Sequence, residues 1–206
     1  MSQRLQVHPL NPQPRLIRQA AELIRKGGLV VYPTDSGYAF GWHIGDRDAA
    51  ERLQRIRQTG KDHNFTLVCR DLSEIATYAR IDNPTYRLLR AHTPGAYTFI
   101  LRATREVPRR LQNPKQQTVG IRVPDHPVPL ALLAELGEPL MSSSLILPDH
   151  ELPLADPDDI HDALAGRIDL LIDSGNCGLD PTTVVDLTSD LPRVLRQGRG
   201  DAGVFA

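Results

Sequence analysis

The chain has only two cysteines, Cys69 and Cys177. They stand far apart, form no CxxC pair and build no disulfide framework, which suits a reducing compartment. No apolar run approaches the roughly 20 residues of a membrane span. The N-terminal stretch MSQRLQVHPLNPQPR contains no apolar segment of secretory-signal length. A cytoplasmic protein with no membrane partner is therefore expected. Aromatic residues make up 5% of the chain, which leaves few platforms for stacking single-stranded bases. The phosphate-cradling GxxxxGKS/T loop, a GxGxxG turn and a GxSxG elbow are all missing. His8, His43, His63, His92, His126, His150 and His161 supply no HxxxH or HExxH pair, so no protein-bound metal is expected. Chemistry has to come from dispersed Thr, Ser, Asn and Arg side chains.

What is present is ordinary in bulk and uneven in detail. Apolar residues account for 40% and charged residues for 24% of 206 positions, as in soluble globular proteins with a real core. With no linker, repeat or low-complexity tract, residues 1–206 read as a single domain, its motif region about 14–200. The net charge is −1, yet Arg87–Arg122 carries eight Lys/Arg against one acid, and Asp149–Asp186 ten acids against one base. Such a chain could place a basic cleft on a neutral protein, or carry two solvated surfaces of opposite sign. Arginines number 21 and lysines three. That bias favours planar recognition of phosphate or carboxylate, and genomic base composition would also produce it.

Hydrophobic periodicity predicts a helix over Pro14–Lys26, stopped by Gly27-Gly28, and a buried strand over 29–33. A stretch rich in Gly and small polar residues follows at 34–45. Further helices are predicted at 48–57, 72–79, 84–91, 127–136 and 156–165. Strands are predicted at 65–69, 97–102, 118–123, within 139–147, and at 168–172, 183–187 and 193–196. Helices and strands alternate irregularly, and the last two strands are close enough to pair antiparallel. The expected fold class is α/β, with a mixed sheet rather than a regular doubly wound one.

Several short constellations sit at strand ends, where α/β sheets bind ligands. Tyr32-Pro33-Thr34-Asp35-Ser36-Gly37-Tyr38 leaves a buried strand, either toward a ligand or simply as a tight connection. Arg55 and Arg57 end a helix. Residues two apart point to different faces, so both could meet one ligand only if the helix frays or ends between them. In Thr118-Val119-Gly120-Ile121-Arg122 the alternation puts Thr118, Gly120 and Arg122 on one face, an anion contact beside a gap. Ser142-Ser143-Ser144 ends a strand, Thr182-Thr183-Val184-Val185-Asp186 begins one, and Leu195-Arg196-Gln197-Gly198 ends the last.

Taken in order, PTDSGYAFG (33–41), RIR (55–57), PGAYT (94–98), TVGIRVPDHP (118–127), SLI (144–146), TTVVD (182–186) and LRQG (195–198) resemble the YrdC-like family, the threonylcarbamoyl-AMP synthases. The wording is nearest the YciO branch, and the match spans almost the whole chain. The resemblance implies a twisted, open mixed sheet flanked by helices around a large, positively lined cavity. It implies a nucleotidyltransferase-type reaction of L-threonine, bicarbonate and ATP with Mg2+, feeding the threonylcarbamoyl modification of tRNA adenosine 37. Carried over position by position, Thr34, Arg122, Ser142 and Thr182 would contact threonine, with Arg122 forking its carboxylate. Arg57, Asn64, Thr118, Ser144 and Arg196 would surround ATP, and Arg55, Arg57 and Ser144 would assist the chemistry.

Three positions depart from the family pattern. Ile146 stands where the SxN motif has its Asn, Arg55 where KxR has its Lys, and Cys69 where a strand ends in His. A second expectation follows from those departures: a non-catalytic member that binds double-stranded RNA or tRNA through its basic side chains, with Arg109, Arg110 and Lys115 as candidates. Recognition would then rest on backbone and shape contacts.

Overall fold

A computed structural model describes residues 2–59, 65–113, 115–148 and 150–205, without the side chain of Arg110. Among these residues ten strands form one mixed sheet: β1 (Gln3–Gln6), β2 (Val30–Tyr32), β3 (Ala39–His43), β4 (Thr66–Val68), β5 (Tyr97–Arg102), β6 (Thr118–Arg122), β7 (Leu140–Ser144), β8 (Leu170–Asp173), β9 (Thr183–Asp186) and β10 (Arg193–Arg196). Their order across the sheet is β1-β8-β2-β3-β7-β4-β6-β5-β9-β10. Four neighbouring pairs are parallel, β1/β8, β2/β8, β4/β6 and β5/β9, and the other five are antiparallel. The final antiparallel pair, β9/β10, is the one anticipated from sequence. β1 and β3 were not anticipated.

Among the described residues six helices pack on this sheet: α1 (Pro14–Arg25), α2 (Arg47–Arg57), α3 (Leu72–Tyr78), α4 (Asn83–His92), α5 (Pro127–Leu136) and α6 (Pro157–Leu164). Local chemistry sets their ends. Asp46, Asp71, Asp82 and Asp156 each accept a hydrogen bond from a first-turn amide of the helix they precede. Gly137 ends α5 at a left-handed φ of 71°.

Strand alternation decides what each face of the sheet does. On one face Phe40, Trp42, Leu67, Met141, Phe99, Leu101, Ile121 and Val185 join the buried faces of α2, α3, α4 and α6 in the larger core. On the other, Val30, Tyr32, Ala39, Val68, Leu140 and Leu170 pack against α1 and α5. Those two helices cover only part of their face. Further across it the same alternation presents Thr66, Thr98, Thr118, Gly120, Arg122, Ser142 and Ser144, polar or small residues that could not sustain a dry core. A cavity lies there.

Candidate functional site

The cavity encloses about 450 Å3, within the range of small-molecule sites. Its floor is the polar half-face of the sheet: Thr66, Ser142, Ser144, Thr118, Gly120, Arg122, Thr98, Ile100, Val184 and Asp186. Arg57, Phe65, Val119 and Ser143 reach it where β4 and β6 begin and β7 finishes, and Arg193, Leu195 and Arg196 of β10 form the far wall. Four arginines and one aspartate line it among the described residues.

The register explains why these groups meet. Thr66 is paired with Gly120 on one side and Ser142 on the other, so small and hydroxyl side chains form a row across three strands. Thr98 and Thr182 close the row, their hydroxyl oxygens 2.8 Å apart. Arg196 lies over the same spot. It donates through Nε and a terminal nitrogen to the Thr182 carbonyl at 3.2 and 2.9 Å. The Arg196 residue is exposed as a whole, yet partial shielding of its guanidinium pulls its pKa down. Arg57 arrives from the C-terminus of α2, donates through Nε to the Ile146 carbonyl at 3.0 Å, and bonds the Ser143 hydroxyl. Burial lowers its pKa too, so an anion that restores charge balance there gains from the low local dielectric.

Other groups are spent within the protein. Ser142 donates to the Phe40 carbonyl at 2.9 Å, so Tyr32, 2.8 Å away, must be the donor to Ser142. Burial pushes the Tyr32 phenol up to about 12. Thr34 donates to the Gly37 carbonyl at 2.6 Å and accepts from the Ser36 amide at 3.1 Å. Arg122 pairs with Asp35 across the fold and donates to the Ser36 hydroxyl at 2.9 Å. The side chains of both Arg122 and Asp35 are 9% exposed. Arg122 Nε and Asp35 Oδ2 are buried without a partner among the described residues. Breaking such a pair from one side costs about 3–5 kcal/mol.

Of the residues singled out from sequence, Arg57, Thr118, Arg122, Ser142, Ser144, Thr182 and Arg196 come together on the cavity. Arg55 does not. α2 continues unbroken through Arg57, so the two arginines stay about 200° apart around the axis. Arg55 is exposed, its Nε donating to the Glu51 carbonyl at 3.3 Å. The condition for a shared ligand, a helix ending between them, is not met. Thr34 is buried but does not line the cavity, because its hydroxyl is turned into its own loop. Asn64 lies outside the described residues, as does the side chain of Arg110. Arg109 and Lys115 are exposed. Sequence reasoning missed Thr66, Thr98 and Asp35. The first two carry the same every-second-residue signal as Thr118, Gly120 and Arg122.

Among the described residues no three His, Cys, Asp or Glu side chains are placed to hold a metal ion. Asp186, the carboxylate on the cavity, already accepts from the Thr188 amide and hydroxyl and faces Arg193 at 3.5 Å. No described helix is long and apolar enough to cross a membrane.

The family model described as Telomere recombination, which covers Sua5, YciO and YrdC, matches residues 22–198. The chain is similar to the uncharacterized protein YciO of Escherichia coli K12, 56% identical over 205 residues and all of both chains. The crystal structure of E. coli YciO superposes with a TM-score of 0.96 over 100% of each chain. At 30% identity the chain resembles the threonylcarbamoyl-AMP synthase of Bacillus subtilis over 88% of its own length and 53% of that protein's. P. abyssi Sua5 complexed with L-threonine matches with a TM-score of 0.86 and 26% identity, over 95% of this chain and 57% of that one.

Proposed function

The chain belongs to the Sua5, YciO and YrdC family, and from that premise we propose that its cavity binds MgATP beside L-threonine and forms threonylcarbamoyl-AMP. The observation that carries this reading is the convergence of two guanidinium groups, Arg57 and Arg196, on a row of hydroxyls. Thr66, Thr118 and Ser144 have no hydroxyl partner among the described residues. Cations serve phosphate, and open hydroxyls serve ribose or carbamate oxygens.

In the proposed reaction the threonine amine and bicarbonate give the carbamate N-carboxythreonine, with release of one water. A carbamate oxygen attacks the α-phosphorus of ATP, the bond from that phosphorus to the bridging oxygen breaks, and the electron pair leaves with pyrophosphate. The protein need supply no nucleophile. Arg57 and Arg196 hold the phosphates and offset the charge that gathers as pyrophosphate departs. Mg2+ would enter with the triphosphate, held mostly by phosphate and water. The product would feed threonylcarbamoylation of tRNA. A low rate is expected, because Ile146 offers no amide at the cavity.

The test is formation of threonylcarbamoyl-AMP from radiolabelled L-threonine, alongside calorimetry with MgATP. ATP- and bicarbonate-dependent product, with both product and affinity reduced by Arg196→Ala, is expected. No ATP binding at millimolar concentration would overturn the reading. A second reading, binding of double-stranded RNA, draws on exposed Arg109 and Lys115. They flank Leu111, Asn113 and Gln116 on the cavity rim. It would hold if ATP calorimetry were silent and duplex RNA bound with an affinity falling linearly in log salt.

A further inference from the structure

Building on that reading, we propose that Phe205 is a positioning residue for the reaction: it pins the segment that follows β10, and through that segment it holds Arg196 over Thr182. Phe205 does not line the cavity, so it touches no ligand there. It closes a short 3-10 turn, Gly203–Phe205, nine positions beyond Arg196. The residue is 9% exposed. Its ring packs on an aromatic cluster, the centroid 4.8 Å from that of His92, 5.6 Å from Tyr97 and 6.2 Å from Phe99. Tyr97 and Phe99 belong to β5 and His92 ends α4, so the ring rests on the larger core.

Between Arg196 and Phe205 the chain is laced to the stretch that seats the arginine. The Thr182 carbonyl takes the Arg196 guanidinium. On one side of it the Pro181 carbonyl accepts from the Arg199 amide at 2.9 Å. On the other the Thr183 hydroxyl accepts from the Gly198 amide at 2.9 Å and donates to the Gly200 carbonyl. The Tyr97 hydroxyl donates to the Asp201 carbonyl at 3.3 Å. Such bonds set direction, but each adds little net stability, since the open chain makes them to water. No apolar side chain from Leu195 to Val204 is buried. The Phe205 ring is therefore the apolar anchor of this segment. Among the described residues β10 has a neighbouring strand on one side only, so the chain beyond it decides where its Arg196 end rests. Without the anchor the bonds to Pro181 and Thr183 exchange with water, and Arg196 loses its fixed seat.

Hydrogen exchange of the unliganded protein and calorimetry with MgATP test this. In Phe205→Ala the Gly198 and Arg199 amides should exchange at least about tenfold faster, with the α2 amides unchanged. Unchanged exchange at Gly198 and Arg199 would overturn the proposal. So would an equal acceleration in α2, since Phe205 would then serve overall stability alone. MgATP affinity should fall about three- to tenfold in Phe205→Ala and recover in Phe205→Leu, which keeps an apolar anchor. In an Arg196→Ala background the same Phe205→Ala change should weaken MgATP by less than about twofold, because the residue it acts through is gone. A further loss as large as in the unaltered background would overturn the proposal. Gly200→Ala pries at the same segment, since a Cβ there would stand 2.4–2.7 Å from Tyr97 ring atoms. It should give the same pattern, and it decides the matter should Phe205→Ala fail to fold. Absence of MgATP binding by the unaltered protein refutes the synthase reading, whereas the exchange rates report on Phe205 with no ligand present.

Discussion

Gly198 lies two residues beyond Arg196, and a methyl group there would shift the wall that holds that arginine. A Cβ at Gly198 would stand 2.2 Å from the Pro181 carbonyl oxygen and 2.6 Å from the carbonyl carbon and oxygen of Thr182. All three contacts are backbone, so no side chain can swing aside. Relief requires the two segments to separate by roughly 1 Å. The Arg196 bonds to the Thr182 carbonyl, now 2.9 and 3.2 Å, would then stretch to about 4 Å and cease to be hydrogen bonds. Overpacking of this kind costs about 1–3 kcal/mol. For a chain of this size that lowers the melting temperature by about 2–12 °C. Because Arg196 is exposed to solvent, its lost anchorage should weaken MgATP by no more than about tenfold. Gly137→Ala is the control. Its Cβ would meet nothing within 4 Å, but φ is 71°, so about 1 kcal/mol is lost with ATP affinity intact. The assay is a melting curve and ATP calorimetry on both variants. Gly198→Ala with an unchanged melting temperature and unchanged affinity would refute the reasoning.

Other expectations concern the cavity lining and a buried phenol. Ile146 is half-buried on the lining, so Ile146→Asn should place its amide against ligand and raise the single-turnover rate by about 10^2. A folded variant with an unchanged rate would count against this. Arg55→Lys should leave ATP binding and rate unaltered, since Arg55 faces solvent, and a clear change in either would contradict its placement. Tyr32 titrates at about 12 in the fold against an ordinary 10, so folding favours the neutral phenol. That stabilisation, about 3 kcal/mol, is whole below pH 10 and is lost as pH rises through 12. Denaturant unfolding of Tyr32→Phe should therefore decline less steeply between pH 10 and 12 than that of the unaltered chain, and parallel declines would refute it.

Most elements were legible because their period matched their environment. The reading Tyr97–Arg102 and the helix Pro127–Leu136 agree with the structure residue for residue. β3 escaped notice because it is buried on both faces as Ala-Phe-Gly-Trp-His, so nothing alternates and Gly41 looks like a turn residue. The glycine is there for packing: a Cβ would stand 2.9 Å from the Tyr32 ring and 2.7 Å from Leu140. β1, Gln-Arg-Leu-Gln on the sheet edge, is too polar and short to announce itself. At the site, residues on one strand face could be grouped from sequence. The Asp35–Arg122 pair could not, because it joins positions 87 apart and local periodicity carries no information at that range.

The two cationic posts of the cavity differ in how they are fastened. Arg57 hangs from a helix whose Ala49, Leu53 and Ile56 are sunk in the larger core. Arg196 belongs to a four-residue strand at the sheet's outer margin, joined among the described residues to one neighbouring strand and with a slip in register between Val194 and Arg196. Peeling that strand away breaks a single ladder and withdraws only the half-buried Val194 from the larger core, so it belongs to the less protected parts of the molecule. A polyphosphate spanning Arg57 and Arg196 would act as a clasp between the anchored centre and the loose margin. The free margin would let bulky substrate in, and the bound anion itself would then hold it shut.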